Sequence, residues 1–359
     1  MRRLDRYVLR DFLLYCLMGI LLFVGIYLIV DVFEKIDKFV DNEAAVATVV
    51  RYYLWSLPTI LIQVCPLALL LASILSLGQL RRFNELTAMQ GAGVSPVRIA
   101  LPLLIGALLI SAAAYGVGEL LVPGSYRAQQ RIMKVEIKGQ EPEEFAGRLN
   151  IRYLGQGGNF YMVEYFDGAT GSLRNVSVQE LAGKEILRRI DAAAGRFERD
   201  VWLFENGHLR MFRDSVETAI RFERFATSRL REIPSDFTQP KEDPFRMSMA
   251  DLARYAERVR ESGGRDMKLR TDYHLRASFP LSNLIMVLLG ASLSLRIVRG
   301  GNVAVGIGVT IFIGFAYYAC LRAGQALGYS GTIPPILAAW IGNLLFGALG
   351  SVFFWKVTR

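Results

Sequence analysis

Five stretches of this chain, each long enough to cross a lipid bilayer as a helix, contain no Lys, Arg, Asp or Glu. They are residues 12–30, 52–80, 99–118, 277–295 and 300–321. Because a helix needs ~20 mostly apolar residues to span ~30 Å of hydrocarbon, each stretch predicts a transmembrane helix. A sixth is expected within the uncharged segment 323–355, after a turn marked by Pro334 and Pro335. The sequence therefore predicts a six-helix membrane protein.

The first stretch also occupies the position of a secretory signal peptide. It is longer than the apolar core of such a peptide, and no small-x-small cleavage motif precedes Asp31. We therefore expect it to be retained as a transmembrane helix.

Residues 124–272 differ in composition, with 26 Lys and Arg against 24 Asp and Glu. Short runs of β-forming residues are separated there by Gly-Gly, Asp-Gly and Asn-Gly pairs, a pattern typical of β-hairpins. The pattern continues to about Arg229 and predicts six to eight strands, among them 149–154, 159–166, 201–204 and 208–212. A helix over about 248–262 is expected next, with Ser248 as its cap.

The predicted fold class is thus an α-helical membrane protein with six transmembrane helices and an inserted, periplasmic, all-β domain of jelly-roll type. Three segments follow. Residues 1–123 hold helices one to three, 124–272 hold the β domain and its final helix, and 273–359 hold helices four to six.

The basic residues that flank the predicted spans indicate the orientation. Eleven of them lie on one side, including four before the first helix, whereas five lie on the other side. Since Lys and Arg of short loops are retained in the cytoplasm, both termini are expected to be cytoplasmic and residues 124–272 to lie outside.

Several kinds of chemistry have no support in the sequence. No segment matches the Gly-x4-Gly-Lys-Ser/Thr phosphate loop, so the chain is not expected to be an ATPase. The two histidines are too few for a metal cluster, and the three cysteines each fall in a different apolar run, where a thiol behaves as a small buried hydrophobe. We expect neither a catalytic residue nor a metal site.

The segment 81–96, between the second and third helices, predicts a short helix over about 82–92 followed by a break. Phe83, Leu86 and Met89 recur at helical spacing, Glu85 is the only acid, and Gly93 suits a left-handed cap. The residues alone leave two interpretations open, a solvated intracellular turn that fixes topology or a docking helix for a partner.

The order of several short motifs along nearly the whole chain carries a family resemblance. They are Leu4-Asp5-Arg6-Tyr7, Glu85-Leu86 with Met89 and Gly93-Val94-Ser95, Pro66-Leu67, Gly118-Glu119 with Pro123, Pro280-Leu281-Ser282 and Ile333-Pro334-Pro335-Ile336. Together with a soluble domain inserted after the third helix, they resemble the lipopolysaccharide export permeases LptF and LptG, and LptG more closely.

The resemblance implies a non-catalytic permease subunit of an ABC transporter in the Gram-negative inner membrane. Its implied partners are an LptB-like ATPase dimer, an LptF-like permease, an LptC-like periplasmic protein and lipopolysaccharide, with no nucleic acid among them. ATP and Mg would be used by the ATPase, and this chain would bind no cofactor. The implied coupling helix would dock into that ATPase through Glu85, Leu86, Met89, Phe83 and Gly93.

Basic residues on the outer side are candidates to bind the phosphates of lipid A, because a cation near a membrane surface attracts anionic headgroups by about 1 kcal/mol. They are Lys35, Lys38, Arg127, Arg131, Lys134, Arg276 and Arg322. The alternative is that each simply extends its charge to the interface. LptG proteins often carry a basic residue where this chain has Asp31, so one such contact is not expected here.

Apolar residues of helices one and five are candidates to line the acyl cavity that the resemblance implies. They are Phe23, Tyr27, Val30, Phe312, Phe315 and Tyr318, and ordinary lipid exposure is the alternative for each. In helix five, Gly306, Thr310 and Gly314 are spaced four apart, which permits close packing either against a partner subunit or within this chain.

Three other functions are compatible with parts of the sequence. The chain would fit an LptF-type partner of the same complex, or a mechanotransmission permease that moves no lipid, although the latter carries its extramembrane domain after the first helix. A membrane-tethered periplasmic enzyme is disfavoured because the β segment has one histidine, no cysteine and no evident triad.

Overall fold

The computed structural model describes residues 3–140, 148–155, 159–168, 170–182, 185–198, 200–213, 216–230, 232–238, 244, 247–261, 266–296 and 303–358. It forms two compact units. The membrane unit comprises Met1–Met133 and Pro244–Arg359, and the sheet unit comprises Lys134–Asp243. The predicted glycine pair at 157 and 158 lies outside the described residues.

The membrane unit is built from helices whose bounds follow the uncharged stretches. They are α1 (Arg3–Val40), α2 (Val46–Arg82), α3 (Glu85–Gly91), α4 (Pro96–Leu120), α5 (Val122–Arg131), α7 (Met249–Glu261), α8 (Met267–Ser278), α9 (Ser282–Arg296), α10 (Val303–Ser330) and α11 (Pro335–Thr358). Helix α8 continues into α9 through the 3₁₀ turn Phe279–Leu281, and the described part of the chain has six helical segments apolar enough to span a membrane.

Helix α2 lies at the centre of this unit, and 72% of its most apolar window is buried inside the protein. It contacts α1, α3, α4, α5, α9 and α10. One apolar core joins Phe12 of α1, Leu69 of α2, Leu103 of α4 and Val287 of α9. By contrast, only 11% of the corresponding window of α1 is buried, so α1 presents most of its apolar surface to its surroundings.

The small-residue stripe of α10 packs inside this chain. Thr310 is fully buried, and an added Cβ on Gly314 would lie 2.2 Å from the Leu67 side chain of α2. A Cβ on Gly306 would likewise lie 3.2 Å from Leu75 of the same helix. Of the two packings left open by the sequence, the contact within the subunit is the one that the structure contains.

The sheet unit contains one antiparallel sheet of six strands in sequential order, with the helix α6 (Pro234–Thr238) after the last strand. The strands are β1 (Arg148–Leu154), β2 (Asn159–Asp167), β3 (Ser172–Ala182), β4 (Glu185–Glu198), β5 (Val201–Arg213) and β6 (Val216–Thr227). The prediction of a helical membrane protein with an inserted β domain is confirmed. The described strands form a meander, without the Greek-key crossovers that define a jelly roll.

Side chains of a strand alternate between the two faces of a sheet, and along one row of residues that crosses this sheet the alternation is interrupted. In a regular strand, residues three positions apart face opposite sides. Here Val163 and Phe166 on β2 are both buried, as are Leu173 and Val176 on β3, and both pairs belong to one apolar core. The same offset of three occurs at 192 and 195 on β4, at 204 and 207 on β5, and at 222 and 225 on β6.

Three asparagines lie in this row with left-handed backbone conformations. Asn150, Asn175 and Asn206 have φ of 53°, 47° and 52°. The strand registers place Asn175 in one row with Asn150, through Glu164, and with Asn206, through Ala193. Asparagine tolerates φ > 0 better than most residues, so the sheet folds along this row and both halves direct apolar side chains into the same core.

The expected Asn206-Gly207 hairpin is therefore wrong, because β5 continues through both residues without a chain reversal. Gly207 is required there for close packing, since an added Cβ would lie 2.2 Å from the Asp191 carbonyl oxygen. The Asp167-Gly168 signal does mark a turn, between β2 and β3.

The core of the sheet unit is closed by the segment after β6. The Trp202 indole N–H donates to the Glu232 carbonyl at 2.7 Å, and the Tyr161 hydroxyl donates to the Glu232 carboxylate. Burial, reinforced by this hydrogen bond, raises the pKa of Tyr161. Phe237 of α6 lies against the Tyr161, Phe166 and Trp202 rings.

The sheet unit is shorter at both ends than the segment 124–272. The difference comes from helices α5 and α7, which belong to the membrane unit. Helix α5 packs on α2, and helix α7 packs on α8. The amphipathic face of α7 buries Leu252 and Ala256, and Ser248 accepts a hydrogen bond from the Asp251 amide at 3.2 Å.

Candidate functional site

The short helix α3 joins α2 to α4, at the position where the sequence predicts a short helix followed by a break. Its first turn follows Asn84, which has φ 60°, and its last turn ends at Gly93, with φ 84°. The Val94 amide donates to the Met89 carbonyl at 3.0 Å and the Gly93 amide donates to the Gln90 carbonyl at 2.9 Å. This pair of bonds is a Schellman motif, so the helix has a defined end despite its seven residues.

The structure corrects the expected role of Leu86. Its side chain is 3% exposed and lies in the core shared by α1, α2, α4 and α9, so it anchors α3 and is not available to a partner. Met89 is partly buried against the same core. Phe83, just before α3, is by contrast a large apolar side chain that is 62% exposed.

Glu85 lies on the exposed side of α3 and accepts a hydrogen bond from the Tyr7 hydroxyl of α1 at 2.8 Å. A charged carboxylate at the first helical position is favourable because it faces the positive end of the helix dipole. Glu85 is thus partly exposed, and the hydrogen bond from Tyr7 fixes its position against α1.

Two further polar contacts tie this end of the bundle together. Arg98 of α4 forms an ion pair with the buried Asp5 of α1 at 2.8 Å. The Arg81 guanidinium of α2 donates to the carbonyls of Ser294 and Leu295 at 3.1 Å each, which satisfies the C-terminal end of α9. These contacts join α1 to α4 and α2 to α9 at this end of the bundle.

A cavity of about 460 Å³ lies elsewhere in the membrane unit, between α1, α2, α4, α8 and α10. Tyr27, Leu67 and Phe279 contribute apolar walls, and a smaller number of polar side chains converge on the same space. The polar residues of its lining are Gln63, Glu119, Asp272, Arg276, Arg322 and Gln325. A mostly apolar cavity with a few placed polar groups suits an amphiphile.

Among the predicted acyl-contact residues, Tyr27 and Tyr318 line this cavity, and the Tyr318 hydroxyl donates to the Gln63 carbonyl. Phe312 and Phe315 are 75% and 77% exposed on the outside of α10. Val30 is likewise exposed on α1, and Phe23 is half-buried there. The structure thus separates the six residues into cavity walls and outward-facing side chains.

Lys35 is held by an internal ion pair. Its ammonium group lies 2.7 Å from both carboxylate oxygens of Asp31, one turn earlier, and donates to the Tyr52 hydroxyl at 3.0 Å. The Tyr53 hydroxyl donates to the same carboxylate at 3.0 Å. Asp31 thereby neutralises the charge that Lys35 would offer to a phosphate.

The other predicted phosphate ligands have different surroundings. Lys38 and Arg131 are exposed at the ends of α1 and α5, and Lys134 belongs to the sheet unit. The Arg127 guanidinium donates to the Pro123 carbonyl at 3.2 Å. Arg322 is exposed, donates to Gln325 at 2.8 Å and lines the cavity, as does Arg276.

Sequence reasoning missed two acidic residues of the cavity wall. Asp272 is 8% exposed and accepts hydrogen bonds from the Tyr329 hydroxyl and, at 3.3 Å, from the Gln325 amide. Glu119 accepts two hydrogen bonds from the Met249 backbone amide at 2.8 and 3.0 Å. Neither residue lies inside a predicted span, since the nearest spans are 99–118 and 277–295, so the cost of an ionisable side chain within a span did not point to them.

Within the described residues, no group of three or more His, Cys, Asp and Glu side chains could hold a metal ion.

Comparison with known proteins agrees with this architecture. The family model described as lipopolysaccharide export system permease LptF/LptG matches residues 6–356. The chain is 21% identical to the lipopolysaccharide export system permease protein LptG of Escherichia coli K12 over 346 residues, covering 96% of this chain and 95% of that protein. It is 22% identical to the LptG protein of Haemophilus influenzae over 363 residues, covering 99% and 98%. With six apolar spans, an inserted sheet and a match over nearly its whole length, the chain belongs to the LptF/LptG family of lipopolysaccharide export permeases.

Proposed function

We propose that this chain is the LptG-type subunit of an ABC transporter that extracts lipopolysaccharide from the inner membrane. It pairs with an LptF-like permease, and an LptB-like ATPase dimer uses ATP and Mg to drive the pair. The extracted lipid passes to an LptC-like periplasmic protein and onward to the outer membrane. This chain binds no cofactor of its own in this scheme.

The architecture of α3 is the observation that carries the proposal. Phe83 and Glu85 are available to a partner, whereas Leu86 is buried in a core that includes residues of α1, α4 and α9. A force on the exposed residues is therefore transmitted through packed side chains, which move as a unit because protein interiors are dense. The ATPase supplies the force, and the helices that receive it include α1, which contributes Tyr27 to the cavity.

The orientation follows from the charges that flank the spans. We place both termini and α3 in the cytoplasm and the sheet unit in the periplasm, in agreement with the excess of Lys and Arg on the α3 side. ATP-driven work is then done at one face of the membrane, and lipid is received at the other.

The cavity and the basic residues near it provide the lipid contacts in this scheme. Tyr27 and Tyr318 contact acyl chains from the cavity wall, and Phe312 and Phe315 complete the lipid path where α10 faces the partner subunit. Lys38, Arg131 and Arg322 are exposed and attract lipid A phosphates, whereas Asp31 makes Lys35 a weak contributor. Arg127 and Lys134 have secondary roles, because each already has a contact within this chain.

Co-purification tests the assembly. A tagged form of this chain, solubilised gently from its native membrane, is expected to bring an ATPase with a phosphate loop and a second six-helix permease. Recovery of the chain without either would overturn the proposed function.

A pair of variants tests the coupling role of Glu85. Glu85→Ala removes the carboxylate offered to the ATPase, whereas Tyr7→Phe removes the hydrogen bond between these two residues and leaves the carboxylate in place. Because one exposed hydrogen bond contributes about 1 kcal/mol or less, both variants should insert and assemble. We expect Glu85→Ala alone to separate ATP hydrolysis from lipid export, and equal behaviour of the two variants would assign Glu85 a purely internal role.

A further inference from the structure

A turn of 3₁₀ helix, Phe279–Leu281, interrupts the fourth membrane span between α8 and α9, and we name it the break. Pro280 lies at its centre and has no amide hydrogen to donate to the Arg276 carbonyl, four residues earlier. The Ser282 amide donates to the Phe279 carbonyl, three residues back, which is the tighter 3₁₀ geometry. The α-helical hydrogen-bond ladder is thus interrupted inside the span, where lipid offers no replacement donors.

Side chains of α10 and α11 form a chain of hydrogen bonds that reaches the backbone beside the break. The Tyr317 hydroxyl donates to the Asn343 side-chain oxygen at 2.9 Å, and the Asn343 amide group donates to the Ser278 carbonyl at 2.6 Å. The Ser278 hydroxyl donates to the Ala339 carbonyl of α11 at 2.8 Å, and the Tyr317 hydroxyl also interacts with that of Ser282. Tyr317, Asn343 and Ser278 are all buried, so these bonds are made inside the bundle, where a polar group without a partner is costly.

The residues joined by this chain lie directly behind one wall of the cavity. Ser278 is followed by Phe279 and Pro280, and both of these line the cavity. Tyr317 is followed by Tyr318, which lines the same cavity. The ring centroids of Phe279 and Tyr318 are 6.4 Å apart. The contact between these two wall residues therefore depends on how the break is held against α10.

The two halves of the interrupted span differ in their packing. Helix α9 contributes Val287 and Met286 to the two main apolar cores of the membrane unit, and Arg81 of α2 binds the carbonyls at its end. Leu269 of α8 belongs instead to a small core shared with α7. Apolar packing thus fixes α9, whereas the direction in which α8 continues from the break depends on its contacts with α7, α10 and α11.

We propose that Asn343 and Tyr317 are positioning residues of the lipid cavity. Asn343 holds the α8 backbone at the break, and Tyr317 donates to the Asn343 oxygen, which directs the amide nitrogen toward Ser278. Phe279 is thereby kept against Tyr318, and the cavity keeps the wall that meets the apolar part of the lipid. The inference rests on the proposed function and adds to it residues that shape the lipid site without lining it.

A distance between two spin labels tests the positioning directly. The labels are attached through Val46→Cys and Arg270→Cys, at exposed residues near the starts of α2 and α8, in a chain whose native cysteines are replaced by alanine. Asn343→Leu, which is similar in size and removes both hydrogen bonds, should shift or broaden the distance distribution. Ser292→Ala, which removes a buried hydroxyl between α9 and α11 in the second half of α9, should leave it unchanged. A distribution for Asn343→Leu that coincides with that of the labelled parent would overturn the proposal.

The dependence of lipid transfer on lipopolysaccharide concentration tests the role in lipid binding. Transfer from proteoliposomes with the assembled complex to a soluble periplasmic acceptor is measured over a range of lipopolysaccharide contents. Asn343→Leu should raise the half-maximal concentration about fivefold or more, with a smaller effect on the maximal rate, and Ser292→Ala should not. Tyr317→Phe should act in the same direction, because Asn343 loses its donor. The double variant should lie within about twofold of Asn343→Leu alone, because Tyr317 acts through Asn343.

The outcomes separate the positioning role from the proposed function. A half-maximal concentration that Asn343→Leu leaves unchanged, or additive effects of the two substitutions, would overturn the positioning role and leave the proposed function intact. The same holds for a loss confined to the maximal rate. Failure of the unmodified complex to transfer any lipopolysaccharide would overturn the proposed function itself, whereas the spin-label distances would still decide whether Asn343 holds α8.

Discussion

Leu86 of α3 and Phe83, two residues before α3 begins, should give opposite results when each is truncated to alanine. Leu86 is 3% exposed and belongs to the main membrane-unit core, so Leu86→Ala leaves a cavity and should lower the free energy of unfolding by about 3 kcal/mol. Phe83 is 62% exposed, and Phe83→Ala should change the stability of the isolated chain by no more than about 0.5 kcal/mol.

The order reverses for binding. If Phe83 is the central apolar contact for the ATPase, its truncation removes about 2 kcal/mol of binding free energy, which raises the dissociation constant roughly 30-fold. Thermal unfolding of the detergent-solubilised chain measures the first effect, and titration of the ATPase onto the immobilised permease measures the second. Binding of Phe83→Ala within threefold of the unmodified chain, or an unchanged melting temperature for Leu86→Ala, would refute the division between a partner face and a core face.

Three further outcomes are expected. Gly207→Ala should destabilise the folded sheet by about 3 kcal/mol, because the new Cβ would lie 2.2 Å from the backbone of the neighbouring strand. The sheet unit of this variant should be more sensitive to protease, and equal resistance would contradict the prediction. Lys35→Ala should lower the free energy of unfolding by roughly 2 kcal/mol, because Asp31 then loses its cationic partner, and adding Asp31→Ala should recover part of that stability. A double variant that is less stable than Lys35→Ala would contradict the pairing argument. Cysteines at Glu223 and Phe83 should be labelled from opposite sides of the membrane by an impermeant maleimide, and labelling from the same side would contradict the orientation.

The spans were predictable because the bilayer imposes one simple rule. A stretch without charges and close to 20 residues long has few alternatives to a membrane helix, so the uncharged stretches correspond to spans of the structure. Their ends were less certain, and α10 continues to Ser330, well past the predicted end at Leu321, because the turn occurs only at Gly331.

The folded sheet was not predictable from local signals. Asn-Gly is a strong hairpin signal in isolation, yet Asn206 and Gly207 lie inside a strand, where they form part of a row that crosses the whole sheet. Only the registers of neighbouring strands reveal that Asn150 and Asn175 belong to the same row. Such a row is a property of the assembled sheet, and within one strand it appears only as a break in the alternation of apolar residues.

The candidate sites were predicted in their location and only partly in their details. The helical spacing of Phe83, Leu86 and Met89 located α3, but it could not show which face of so short a helix is buried. Charge alone likewise did not distinguish Lys35, which is paired with Asp31, from Lys38, which is exposed. The partner of a charged residue depends on tertiary packing, and spacing along the chain does not encode it.

Lipid release from a reconstituted complex tests the central claim most directly. Proteoliposomes that contain the ATPase, the second permease, this chain and lipopolysaccharide are incubated with a soluble periplasmic acceptor, and lipid bound to the acceptor is measured with and without ATP. We expect ATP-dependent transfer that is lost when this chain carries Glu85→Ala. Transfer of equal amount by vesicles that lack this chain, or transfer without ATP, would contradict the account.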